Sequence, residues 1–69
     1  MNIEWKDGFH ISVSVTDGTV TVSADEAGLL SLSEQLRSLA SENPGAHIHY
    51  DCFNSLEENS SEMIIEKIR

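Results

Sequence analysis

Asp17-Gly18 sits between two runs in which apolar and hydroxyl residues alternate strictly. Ile11-Ser12-Val13-Ser14-Val15-Thr16 precede it and Thr19-Val20-Thr21-Val22-Ser23 follow. Asp-Gly between such runs is a strong local signal for a two-residue hairpin turn. Pairing across that turn sets Thr16 beside Thr19, Val15 beside Val20 and Val13 beside Val22. The valines then share one face, and any slip by one residue would scatter them. The chain is thereby committed to antiparallel sheet with one packed face and one face in water.

Asp7-Gly8 is a second turn signal, and here the apolar pattern favours a longer loop. A two-residue turn would set Trp5 beside His10 and mix the faces. A three-residue loop, Lys6-Asp7-Gly8, pairs Trp5 with Phe9 and Ile3 with Ile11, with Gly8 in the left-handed position of a bulge. The expected inward face is Ile3, Trp5, Phe9, Ile11, Val13, Val15, Val20 and Val22. His10 falls on the outward face among hydroxyl residues and reads as a solvated strand residue.

A helix follows. Ser23-Ala24-Asp25-Glu26 resembles a capping box, with Asp25 a competing N-cap, and acids at this end suit the helix dipole. Leu29, Leu32, Leu36 and Leu39 recur at helical spacing and are expected to cover the apolar face of the meander. Gly28 within the helix costs about 1 kcal/mol relative to Ala, which marks a close approach to the sheet. Asn43-Pro44-Gly45 ends the helix.

Two further strands are expected, over 46–53 and 61–68, joined by a polar loop. Met63 and Ile65 share one face of the last strand, Ile64 and Ile68 the other. That double-sided pattern fits either a central strand or an exposed apolar patch used for contact. The expected fold is α+β: a small antiparallel-rich sheet in the order βββ-α-ββ with one helix across one face. It forms a single domain, 1–69, with a meander over 1–23, a helix over 24–42 and a C-terminal hairpin over 46–68.

Length and charge narrow the function. A chain of 69 residues has a small core and little room for a deep active-site cleft, which argues against an enzyme. Twelve acidic residues stand against four Lys and Arg, for a net charge of −8. Such a surface repels nucleic acid and anionic membranes and attracts basic proteins. The lone Cys52 cannot form an internal disulfide and suits a reducing compartment. In a regular strand it points to the core. With neither a secretion signal at Met1-Asn2-Ile3-Glu4 nor an apolar run of membrane-spanning length, a soluble, cytoplasmic protein is expected.

His47-Ile48-His49-Tyr50-Asp51 is the densest run of chemically capable groups. In a strand His47, His49 and Asp51 line one face, and Ile48 and Tyr50 the other. His47 and His49 could chelate a divalent metal, with Asp51 or His10 as a third ligand, yet His-x-His alone is a weak signal. The plainer reading is that the histidines hydrogen-bond Asp51 or the adjacent loop. The loop Asn54-Ser55-Leu56-Glu57-Glu58 is the better candidate for partner binding. Leu56 is flanked by polar and acidic residues, as an interface anchor would be. The alternative is that Leu56 closes the end of the core.

Three segments carry a resemblance: Asp25-Glu26-Ala27-Gly28-Leu29-Leu30-Ser31-Leu32, Gly45-Ala46-His47-Ile48-His49-Tyr50-Asp51 and Glu62-Met63-Ile64-Ile65-Glu66-Lys67. With Asn54-Ser55-Leu56-Glu57 they resemble immunity protein family 32 of bacterial polymorphic-toxin systems. The resemblance implies a non-catalytic protein that binds and neutralises a cognate toxin domain, with His47, His49 and Asp51 as family motif positions. No cofactor, nucleic acid or membrane partner is expected, and the toxin partner is expected to be basic. Two alternatives stand beside it: a small metal-binding domain built on His47 and His49, and a homodimeric structural or adaptor protein that pairs through an exposed sheet edge.

Overall fold

The computed structural model describes residues 1–69. Its elements are β1 (Ile11–Thr16), β2 (Thr19–Ala24), α1 (Glu26–Ala40), β3 (His47–Tyr50) and β4 (Met63–Glu66), in the order ββ-α-ββ. They form two antiparallel two-stranded sheets, β1-β2 and β3-β4. The expected βββ-α-ββ order is therefore corrected at its first strand.

The Asp17-Gly18 hairpin forms in the register that the valine pattern requires, with Val13 opposite Val22, Val15 opposite Val20 and Thr16 opposite Thr19. Asp17 and Gly18 both take positive φ, 50° and 80°, as a turn matched to strand twist demands.

Residues 1–10 do not pair as a strand, and the reason lies at both ends of the problem. The backbone of this segment is satisfied by the helix: Lys6 N–H donates to Ser31 Oγ at 2.8 Å, and Glu4 C=O accepts from Gln35 Nε2 at 2.8 Å. Meanwhile the outer edge of β1, where a first strand would lie, is already occupied. Glu57 N–H donates to Ile11 C=O at 2.9 Å and Ser61 N–H to Val13 C=O at 2.8 Å. Val13 N–H in turn reaches Ser60 Oγ at 3.2 Å. The loop between β3 and β4 thus joins the two sheets. Trp5 and Phe9 do meet, as stacked rings 4.4 Å apart.

Of the two N-cap candidates the structure uses Asp25, whose Oδ1 accepts from Gly28 N–H at 2.8 Å and from His10 N–H at 3.1 Å. At the other end of α1, Lys67 Nζ donates to the carbonyls of Ala40 and Glu42, both at 2.7 Å. A cation there complements the helix dipole as well as its free carbonyls.

The expected leucine seam is rotated out of the core. The buried helix positions are Gly28, Ser31, Gln35 and Leu39; Leu32 is half-buried, and Leu29 and Leu36 are exposed. Hydrogen bonding explains the rotation. Ser31 and Gln35 bind the N-terminal segment, and Gln35 Oε1 also accepts from the buried Tyr50 hydroxyl at 2.8 Å. Gly28 permits the close approach: a Cβ there would lie 2.7 Å from His10 C=O. The core itself is Ile11, Val13, Leu39, Ile48, Tyr50 and Leu56, with Trp5, Phe9, Ala24, Leu32, Met63 and Ile65 packed against it. Val15, Val20 and Val22, expected inside, remain exposed at the outer end of the hairpin, and Ile3 is likewise exposed. Both C-terminal strands are shorter than expected. On β4, Met63 and Ile65 turn inward while Ile64, and Ile68 just beyond the strand, are exposed; β4 pairs only with β3 and is not a central strand.

Candidate functional site

The β3 face divides as the alternation requires: His47 and His49 are exposed, Ile48 and Tyr50 buried. The strand stops at Tyr50 because Asp51 turns the chain. Asp51 Oδ1 accepts the backbone N–H groups of Phe53 at 2.9 Å and Asn54 at 3.0 Å. Its main-chain carbonyl accepts from Asn54, Ser55 and Leu56. Asn54 closes the turn from the other side: its Oδ1 accepts from Asp51 N–H at 3.1 Å, and its Nδ2 donates to His49 C=O at 2.9 Å.

This turn overturns the expected burial of Cys52 and agrees with the core-closing reading of Leu56. Cys52 does not point to the core but is exposed, since the strand has ended before it. Leu56 is not a surface anchor: it is 5% exposed and belongs to the core. The exposed apolar group of the segment is Phe53, 96% accessible at the tip of the turn. Sequence reasoning passed over Phe53 by extending the strand through it. Asp51 and Asn54, three apart around Cys52-Phe53, are the side chains that start such turns, and they were the available signal.

Acids surround this turn in sequence. Residues 51–62 carry Asp51, Glu57, Glu58 and Glu62 and no Lys or Arg. Two of these acids are tied to histidines. Glu57 Oε1 lies 2.7 Å from His10 Nδ1, and Glu62 Oε2 lies 2.9 Å from His49 Nε2. The hydrogen bond to Glu57, reinforced by its charge, raises the His10 pKa. The N–H donors of Gly28 and His10 lower the Asp25 pKa. Glu57 and Glu58 are exposed, and Asn59 takes a positive φ of 68° that turns the segment back toward β1.

The possible metal ligands are dispersed. His47 Nδ1 faces Gly45 C=O at 3.3 Å, His49 pairs with Glu62, His10 pairs with Glu57, and the Asp51 carboxylate is occupied by its turn. No three His, Cys, Asp or Glu side chains gather as a metal-binding group. Beside β3 lies a groove of about 350 Å³, lined by Ile3 and Trp5 of the N-terminal segment and by His47, Ile48, His49 and Tyr50 of the strand. Asn54 and Ser55 of the Asp51 turn also line it.

The model of the family Immunity protein 32 matches residues 19–68, from β2 through the C-terminal strand. The chain belongs to the Immunity protein 32 family. No curated protein and no solved structure matches it. No helix is long and apolar enough to cross a membrane.

Proposed function

We propose that this protein neutralises a cognate toxin domain by binding it, with the 51–58 segment as the contact and Phe53 as its apolar anchor. Membership of an immunity family supports the role. The observation that carries the site is Phe53: a nearly fully exposed aromatic ring on a turn braced by the Asp51 carboxylate. Interface hot spots are aromatic groups that enter a partner's pocket within a rim of polar residues. A braced turn also loses little freedom on binding, which preserves affinity.

The acids set the partner's character. Asp51, Glu57 and Glu58 frame the anchor in sequence, with the neutral Asn54 amide beside it, and the chain carries a net charge of −8. Such a surface steers a basic toxin, raising the association rate more than the affinity. Neutralisation by occlusion draws on no catalytic group, metal or cofactor, and a cytoplasmic meeting with the toxin fits the reading.

The test is protection in cells. A candidate cognate toxin domain is expressed alone and with the protein. Restored growth that tracks a stoichiometric complex supports the reading. Toxicity undiminished at equal expression, with no complex formed, would overturn it.

A further inference from the structure

An edge strand presents a row of unpaired N–H and C=O groups to any strand that can reach it. One edge in this fold is covered from Ile11 to Val13, and a second is capped at one carbonyl. The outer side of β1 is bonded by Glu57, Ser60 and Ser61, and the His49 carbonyl of β3 is held by the Asn54 side chain. The outer side of β2 is bare. The strand pairs only with β1, and no turn or loop hydrogen bond reaches Thr19–Ser23.

The turn fixes which groups face outward. Thr16 and Thr19 flank a two-residue turn and so form a hydrogen-bonded pair; the pattern then alternates along the ladder. The N–H and C=O groups of Val20, Val22 and Ala24 therefore point away from β1. Proteins that guard such an edge use Lys, Pro, a bulge or a covering loop. Thr19-Val20-Thr21-Val22-Ser23-Ala24 contains none of the guarding residues, and the strand is uncovered. On its apolar face Val20 is 60% and Val22 39% exposed.

We infer that the open edge of β2 is a self-association surface, pairing antiparallel with β2 of a second copy of this chain. The edge is self-complementary. A two-fold axis through Val22 sets Val22 against its own counterpart and Val20 against Ala24 of the other copy. Each of these pairs exchanges both its hydrogen bonds, so every outward group is used. The exposed valines of both copies then continue one apolar face, and Thr21 meets Ser23 on the hydroxyl face. Such a closed, isologous contact ends at two copies.

Charge selects this occupant over a basic protein. The hairpin Ile11–Ala24 holds one charged residue, Asp17, in a chain of net charge −8. A basic toxin finds no counter-charge along β2, whereas an identical neutral strand brings no like charges together within the pairing. The repulsion that remains comes from the rest of each copy, with Asp17 approaching Asp25 and Glu26 of the other. Added salt screens that repulsion and strengthens the dimer. Salt has the opposite effect on capture of a basic toxin by the 51–58 segment, so the two associations are separable. The inference does not rest on the toxin reading.

Sedimentation velocity from about 10 µM to about 1 mM tests it. The expected result is a monomer–dimer equilibrium whose association constant rises at least about threefold between low and high salt. Val22→Pro removes the outward N–H without touching the bonds to β1, and Val22→Glu sets two carboxylates against each other at the axis. Each is expected to weaken dimerisation at least about tenfold, with the circular dichroism spectrum unchanged. Should Val22→Pro disturb the hairpin, Val22→Glu and the sign of the salt dependence still decide. A chain that stays monomeric over the whole range overturns the inference, including the case in which a toxin strand takes the edge instead. So does a dimer that either folded variant leaves intact, or one that salt dissolves.

Discussion

The Asp51 carboxylate accepts the backbone N–H of Phe53 at 2.9 Å, so an acid holds in place the aromatic ring that the protein exposes most. The same oxygen accepts Asn54 N–H, which the Asp51 carbonyl shares, and that carbonyl takes two further N–H groups, from Ser55 and Leu56. Asp51→Ala removes the side-chain brace and keeps the carbonyl bonds. It is expected to cost about 1 kcal/mol of stability, as loss of a helix cap does, and to slow toxin association by loosening the anchor. Denaturant unfolding and surface-plasmon kinetics on the same samples read the two effects. An unchanged stability would show that the brace is not used in solution.

Tyr50 and Gln35 make a second test, deep in the core. The Tyr50 hydroxyl donates to Gln35 Oε1 at 2.8 Å, and Gln35 Nε2 continues to Glu4 C=O. Tyr50→Phe leaves the Gln35 oxygen without a donor, at a cost of about 1–3 kcal/mol. In a domain this small that lowers the melting temperature by roughly 4–8 °C per kcal/mol. Differential scanning fluorimetry suffices; a melting temperature equal to wild type would remove the pair from the account. Burial also raises the Tyr50 pKa, so its ionisation is expected above that of free tyrosine in an ultraviolet titration.

Gly28 is expected to resist the change that helix propensity recommends. Alanine gains about 1 kcal/mol over glycine within an exposed helix. At this position its Cβ would lie 2.7 Å from the His10 carbonyl and 3.0 Å from the Ala24 Cβ. Backbone must move, and overpacking of this kind costs about 1–3 kcal/mol. Gly28→Ala should therefore destabilise on balance, and equilibrium unfolding in urea gives the sign directly.

The pH profile follows from two exposed groups beside each other. The Glu57 hydrogen bond raises the folded-state pKa of His10 above its unfolded value. The stabilisation is thus complete below the ordinary histidine value near 6.5 and is lost as pH rises through the raised folded value. Asp25 is lowered by the Gly28 and His10 N–H groups. Its contribution is present above the ordinary carboxylate range and is lost as pH falls through the lowered folded value. Stability should crest in the mildly acid range. His10→Ala is expected to flatten the decline on the alkaline side alone, read from unfolding midpoints across pH; a decline that survives in that variant belongs to other groups.

Legibility in the sequence tracks how local the deciding contacts are. The β1–β2 register was readable because the Asp17-Gly18 turn and the valine alternation lie within one hairpin. The split of β3 into His47 and His49 outside, Ile48 and Tyr50 inside, was readable for the same reason. The N-terminal segment was not, because its backbone partners, Ser31 and Gln35, lie 25 and 31 residues away. The helix face was misread because spacing shows where leucines cluster, whereas burial here follows Gly28, Ser31 and Gln35. At the candidate site the acids of 57–58 and the polar loop are legible, whereas the pattern leaves Leu56 open between an interface anchor and a residue that closes the core. Leu56 and Phe53 are both apolar residues in a polar stretch. Only the place where Asp51 ends the strand distinguishes the one that packs inward from the one that is presented.

The most direct test is a calorimetric titration of the toxin domain with wild type and with Phe53→Ser. Because the ring is exposed, the variant should unfold within about 0.5 kcal/mol of wild type. Loss of a hot-spot aromatic should weaken binding by about 2 kcal/mol or more, at least some thirtyfold. That combination, intact fold with affinity lost, is what the account predicts. Wild-type affinity in Phe53→Ser would contradict it and move the contact away from the Asp51 turn.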